Sequence, residues 1–363
     1  MALQTFLMLY IFPFQLAVGI LGNLLNLRVL LSRSMRSKTY NLLAIMALAD
    51  IFFLLSMTPQ ALTLSQFKNY FVWMRRFLLH STYHFAGLAN ISSFISAWLI
   101  ILLSVERTSV IAFPLRARNV WTSRTLVTSV CIIFLAGNLL TLHWHITHTV
   151  AIVQMNMTTF NESVGQIMTI SKKVQIQTIK DGMEQFEAVN KIIEVAFLVL
   201  IPVFTVLTVN IILVFNLRKQ HSSKKASKII LVTASTFTVC NFPSAAVHIW
   251  EMLMPSIGEF PSFRTLATLS NSLIITGKVT NFFLFCLWSV NFKKRFLKIA
   301  EKELPCLYSV AKYVNSKKPS LSSYKRSMQT ETELLNKSIK KKQKLCSVRT
   351  FDENGDMVEK MLR

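Results

Sequence analysis

Apolar residues run along this chain in seven long blocks, separated by short polar connections and one long one, with a polar tail behind. The blocks are continuous rather than spaced every third or fourth residue, so they describe helices in an apolar surrounding rather than the amphipathic helices of a soluble core. Each reaches the roughly 20 residues that cross about 30 Å of hydrocarbon. Backbone N–H and C=O groups in such a block have no water to bond, so they pair within the segment, and each block predicts a helix. The pattern places the spans at about 5–31, 41–63, 77–111, 126–146, 190–216, 228–252 and 265–289. The third is longer than the bilayer needs and predicts a tilted helix. The expected fold is all-α: a seven-transmembrane helix bundle over 1–303, with a disordered basic cytoplasmic tail over 304–363.

After the seventh block, 291–303 changes period. Phe292, Phe296 and Ile299 fall on one helical face and Lys293, Lys294 and Lys298 on the other. This predicts a short amphipathic helix lying on the anionic inner-leaflet lipid. Cys306, just beyond, is either a palmitoylation site or an idle thiol. Basic residues gather in alternate connections: Arg33, Arg36 and Lys38; Arg116, Arg118 and Arg124; Arg218, Lys219, Lys224, Lys225 and Lys228. Those connections are expected on the cytoplasmic side. The long connection, 147–189, carries two glycosylation sequons, at Asn156 and Asn161, and sugars are added only on the lumenal face. The expected topology is a multi-pass plasma-membrane protein with its N-terminus outside and its C-terminus in the cytoplasm.

Composition agrees. Of 363 residues, 52% are hydrophobic and only 16% charged, against about a quarter charged in soluble domains. The net charge of +23 does not imply nucleic acid, because the Lys and Arg sit in loops and tail rather than on one soluble face interleaved with aromatics. Of the five cysteines, Cys131, Cys240 and Cys286 lie inside apolar blocks and Cys306 and Cys346 in the tail, which leaves no disulfide framework for the outer connections. His143, His145 and His148 are spaced closely enough to suggest a metal, but no carboxylate is near in sequence; they read as interfacial histidines, with no metal and no cofactor expected. No nucleophile motif or phosphate loop appears, so an enzyme is not expected, and nine glycines without inverted repeats argue against a transporter.

The polar residues inside the blocks follow an order. Gly22-Asn23 comes in the first span, Leu48-Ala49-Asp50 in the second, and Glu106-Arg107-Thr108 ends the third, with Pro114-Leu115 after it. Pro202 is in the fifth, Cys240-x-x-Pro243 in the sixth, and Asn281 with Phe285 in the seventh. This set resembles the rhodopsin-like G-protein-coupled receptors over about 10–303. Ser96-Ala97-Trp98-Leu99 and Ser37-Lys38-Thr39-Tyr40-Asn41 resemble invertebrate FMRFamide-type neuropeptide receptors. The resemblance implies an extracellular peptide ligand and a heterotrimeric G protein as partners. It gives Glu106, Arg107 and Thr108 the G-protein switch, and Pro202, Phe237, Cys240, Asn241, Pro243 and Phe285 the activation hinge. Asn23, Asp50, Ser96, Lys278 and Asn281 make a buried polar seam. In the family that seam holds sodium; here Lys278, one turn from Asn281 on the same face, is expected to pair with Asp50 and replace the ion, or else to face the ligand cavity.

Gln60, Asn90, Ser93, Glu194, His248, Glu251 and Asn271 are the candidates for the ligand pocket, with Glu194 and Glu251 either binding a cationic peptide or resting among headgroups. Ala89 stands where amine receptors place an aspartate. Several family parts are replaced: Thr82 stands at the usual disulfide position, Asn241 at the aromatic toggle, Asn210 and Phe285 at two tyrosines. An orphan chemosensory receptor of the same fold, or a weakly coupling or silent receptor, is the alternative.

Overall fold

The structure is a computed structural model. It describes residues 2–35, 37–64, 72–161, 166–219, 224–254, 256–257, 260–303, 349–351 and 357–359; the side chains of Gln60, Asn156 and Asn161, and all of Cys306 and Cys346, lie outside the described set. It divides into two compact units, Met1–Phe296 and Leu297–Arg363.

Helix α1 runs through Ala2–Phe6, a π-helical stretch Leu7–Ile11, and Phe12–Leu30. Then come α2, Lys38–Leu64, and α3, Val72–Ala112. A short helix, Pro114–Val120, precedes α4, Ser123–Thr141, which is followed by one further turn, His143–Ile146. Helix α5 comprises Glu184–Val195, a second π-helical stretch Ala196–Leu200, and Ile201–Lys219. Helices α6, Lys224–Leu253, α7, Pro261–Trp288, and α8, Val290–Glu303, complete the set. Among the described residues six helices are long and apolar enough to cross a membrane by themselves, and counting α7 with α8 as one bent span brings the number to seven.

Both π-helical stretches lie just before a proline, Pro13 and Pro202. Proline cannot donate to the carbonyl four residues back, and a π turn is one way for the chain to absorb the missing bond. Pro59 and Pro243 sit inside α2 and α6 without ending them.

Helices α2 and α3 are central, with 67% and 56% of their apolar windows buried, against 22% each for α1 and α4. What α1 and α4 leave outside includes Phe14, Leu21, Leu135 and Leu139, an apolar exterior that water would not tolerate. Helix α3 packs against α2, α4, α5 and α6, and α7 closes the ring against α1 and α6.

The long connection holds a feature absent from the sequence reading. Strands β1, His148–Asn161, and β2, Gln166–Ile179, pair antiparallel in register His148↔Ile179 to Asn161↔Gln166. β1 carries both sequon asparagines. Gly182 follows with φ of 78°, the left-handed turn into α5 that glycine takes without strain.

At the other end, Phe292 is fully buried, its ring centroid 5.6 Å from that of Phe285, and Phe296 lies 5.7 Å from Phe282. The start of α8 therefore turns these aromatics onto α7, where the sequence reading had laid them in lipid. Among the described residues of the tail, Arg349–Phe351 (β3) and Met357–Glu359 (β4) pair antiparallel, a local order that the reading of 304–363 as disordered did not include.

Candidate functional site

Asp50, on α2, is completely buried. An isolated carboxylate there would be strongly disfavoured, so its partners decide whether it is tolerated. Lys278 Nζ stands 2.9 Å from Asp50 Oδ1, Ser96 Oγ donates to the same oxygen at 2.8 Å, and Asn281 Nδ2 donates to Oδ2 at 2.8 Å. Lys278 and Asn281 are three apart on α7, so one face of that helix delivers both groups. Lys278 Nζ also lies 4.6 Å above the ring of Phe53, one turn along α2 from Asp50. The carboxylate thus accepts three bonds from α3 and α7. Its face is already filled by a monovalent cation, the ammonium itself.

Asn23 is the seam's fourth support, but it does not touch Asp50. Its Nδ2 donates to the carbonyls of Gly19 at 3.0 Å and Lys278 at 3.2 Å, tying α1 to the backbone of α7. Gln15, which the sequence reading passed over, does the same one level away. Its Nε2 lies 3.0 Å from Ser272 Oγ and 2.8 Å from Thr276 Oγ1. A polar residue inside an apolar block was the available signal.

Beside the ion pair lies a cavity of about 20 Å³, lined by Ser93, Ser96, Thr233, Asn241, Lys278 and Asn281 among others. That is room for about one water. Thr233 Oγ1 is buried there without a hydrogen-bond partner among the described residues. Ser93, expected in the ligand pocket, belongs to this core cavity. Around it, Phe237 and Asn241 are linked, Asn241 Nδ2 donating to the Phe237 carbonyl at 2.8 Å, and Cys240 and Phe285 are buried.

At the far end of α3, Arg107 Nε is 3.9 Å from Glu106 Oε2, and neither atom has a hydrogen-bond partner among the described residues. Neighbours on a helix do not face each other, so the two share attraction but no bond. The hydrogen bond of Arg107 goes instead to Thr39 Oγ1, at the start of α2. Lys38 donates beside it to the Trp121 carbonyl at 2.9 Å. Thr108 Oγ1 is buried without a partner among the described residues.

Two pairs form among the ligand-pocket candidates, Asn90 with Glu194 and His248 with Glu251. Glu194 is buried, not open to an outside cavity: Oε1 accepts from Asn90 Nδ2 at 2.7 Å, Oε2 from Trp144 Nε1 at 2.8 Å, and His143 Nε2 stands 3.3 Å from Oε2. Both Glu194 oxygens are thus engaged, one by α3 and the other by the turn that follows α4. Glu187, about two turns before it on α5 and also buried, accepts from Thr147 Oγ1 at 2.7 Å and faces His143 and His148 at 3.7 and 3.9 Å. Burial holds the His148 imidazole below its ordinary range, against the pull of Glu187. The sequence separated these carboxylates from the histidines by some forty residues; only the fold joins them. Glu251 pairs with Lys191 at 3.3 Å and lies 3.7 Å from His248, at the surface, and Asn271 is exposed. Replacing Glu194 with Leu should lower the thermal midpoint of the purified protein markedly. Each lost bond to a charged acceptor is worth about 1.5–3 kcal/mol. An unchanged midpoint would rule out the cluster as a brace.

The chain matches, over residues 11–302, the family described as serpentine type 7TM GPCR chemoreceptor Srw. It is similar to two Caenorhabditis elegans proteins named as G-protein coupled receptors. With F59B2.13 it shares 29% identity over 315 residues, 79% of this chain and 71% of the relative. With B0563.6 it shares 26% over 328 residues, 82% of this chain and 69% of the relative. An apolar helical bundle, a buried charge seam and a match over most of the chain converge on one assignment: this chain belongs to the Srw family of seven-transmembrane G-protein-coupled receptors.

Proposed function

We propose that this receptor carries an extracellular peptide signal to a heterotrimeric G protein through the Asp50–Lys278 pair. The observation that carries the reading is the 2.9 Å ammonium–carboxylate contact across α2 and α7, bonded also to α3. A buried pair of this kind is held while the helices stay in register and is lost when one shifts, so it couples helix packing to charge. Lys278 takes the place of the sodium ion that rhodopsin-like receptors hold at such a carboxylate. Arg107 is the group released toward the G protein when α6 moves about Pro243. The hairpin end faces outward and the Arg107 end the cytoplasm of a plasma-membrane receptor, with Asn156 and Asn161 glycosylated. Cys306 is palmitoylated and the lysines of α8 rest on anionic lipid.

Buried Ala89 on α3 offers no counter-ion for an amine. With Glu194 bonded inside the bundle, Glu251, whose surface pair with Lys191 can be exchanged for another cation, is the acid to meet a cationic peptide. The family's description as chemoreceptors favours a second reading, in which the peptide or another solute comes from the surroundings rather than from a neuron.

The test is G-protein nucleotide exchange in membranes bearing the full chain. Amidated peptides ending in Arg-Phe should trigger exchange, and Glu251→Gln should weaken their potency about tenfold, the equivalent of about 1.4 kcal/mol. Responses confined to non-peptide solutes would overturn the peptide reading and favour the second.

A further inference from the structure

Five of the seven histidines, His80, His84, His143, His145 and His148, gather at the hairpin end of α3 and α4. Two of them, from segments 61 residues apart, meet directly. His84 Nδ1 and His145 Nδ1 are 2.9 Å apart, with ring planes within 7° of each other. Two neutral imidazoles can make this contact only if one ring donates and the other accepts. His84 is exposed, while His145 is half-buried.

His145 reaches α3 because Gly87 has no side chain. A Cβ at that position would lie 3.0 Å from His145 Nε2 and 3.1 Å from Trp144 Cβ. The glycine is therefore a seat for the ring, one turn from His84. The neighbouring histidine, His143, is engaged with Glu187 and Glu194 instead. Among the described residues no group of three or more His, Cys, Asp or Glu side chains is arranged to hold a metal ion. Any ion held here has two protein ligands and completes its shell with water.

We propose that His84 and His145 form a two-imidazole site for a divalent transition-metal ion of the zinc or copper kind, with Gly87 as its seat. The ion takes the position of the shared proton. The donating ring carries its proton on Nε2 instead, so both Nδ1 lone pairs are presented and no proton is released overall. At metal–nitrogen bonds of about 2.0–2.1 Å, a tetrahedral angle sets two ligand nitrogens about 3.3 Å apart. Exposed His84 covers the difference by a small rotation. Copper binds such nitrogen sites more tightly than zinc. Magnesium prefers oxygen ligands and water, and does not bind here. An ion so held clamps α3 to the end of α4 beside the outer hairpin. The site depends on the fold alone, and it stands or falls apart from the peptide reading.

The test is the thermal midpoint of the detergent-solubilised full chain titrated with zinc chloride, copper chloride or magnesium chloride. Zinc and copper should raise the midpoint, copper at lower concentration, with reversal by a chelator, and magnesium should not. Loss of supporting groups around a metal commonly weakens binding by about 10–100-fold, and loss of a ligand does at least as much. His84→Ala should therefore raise the half-maximal zinc concentration by about 100-fold. This variant leaves the core intact, because His84 is exposed. Gly87→Ala, which keeps both imidazoles but unseats His145, should move it in the same direction, and His84→Cys should recover zinc binding. A zinc shift that survives His84→Ala, or no zinc or copper shift in the unaltered chain, overturns the site.

Discussion

Lys278→Met is expected to lower the stability of the folded receptor by about 3–5 kcal/mol, the usual effect of removing one partner from a buried ion pair. The substitution leaves the fully buried Asp50 with hydrogen bonds from Ser96 and Asn281 but no balancing charge. The companion change carries the argument. Asp50→Asn with Lys278→Met removes both charges at similar volume, and such replacements are often neutral or stabilising. The double variant should therefore regain most of what the single one loses. Thermal midpoints of the four forms give the coupling between the two positions. Sodium supplies a second readout. Lys278→Ser clears the carboxylate face, and signalling should then become sensitive to sodium. If the single and double variants were equally damaged, Lys278 would be filling space and not balancing charge.

The second large effect is expected at Arg107. Arg107→Ala should reduce ligand-driven nucleotide exchange by tenfold or more, about 1.4 kcal/mol or above in coupling. Surface expression should persist, since the side chain is part-exposed at the bundle's end and, among the described residues, bonds Thr39 alone. The opposite change tests the same contact from the other side. Thr39→Val removes the acceptor that holds Arg107 against α2. An ordinary hydrogen bond contributes about 1 kcal/mol, so ligand-free exchange should rise about fivefold. Unchanged exchange in both variants would exclude Arg107 from the switch.

The seam was readable because two strong rules act there together. Charge buried in an apolar block needs a partner, and helical spacing puts Lys278 and Asn281 on one face. Asp50 was then the nearest acid in depth. Glu194 obeys the first rule equally, yet its partner was misjudged. The π-helical stretch Ala196–Leu200 stands between Glu194 and Pro202, and a π turn adds a residue to the count, so facing projected up from Pro202 loses its phase. Arg107 keeps Glu106 at 3.9 Å but bonds Thr39 on α2, a partner that spacing within α3 has no means of naming. The alternating, β-branched stretch from His148 was open to reading as a strand, but the connection was treated only as a carrier of sequons. His84 and His145 illustrate the limit. Nothing in either helix says which turn of its neighbour it will meet, and Gly87 gains meaning only once the helices are side by side.

The β1–β2 hairpin is fastened at its root in a way that bears on how the receptor is handled. Lys180 N bonds the Thr147 carbonyl at 2.8 Å, and the Thr147 hydroxyl bonds Glu187 at 2.7 Å. In this chain those contacts stand near the place where many receptors use a cystine, and no cysteine occurs between Cys131 and Cys240. A thiol reagent finds nothing to cut in that stretch, so reducing buffers leave its anchorage whole. What closes the root is a set of hydrogen bonds meeting at Thr147, none of which depends on the redox state of the medium.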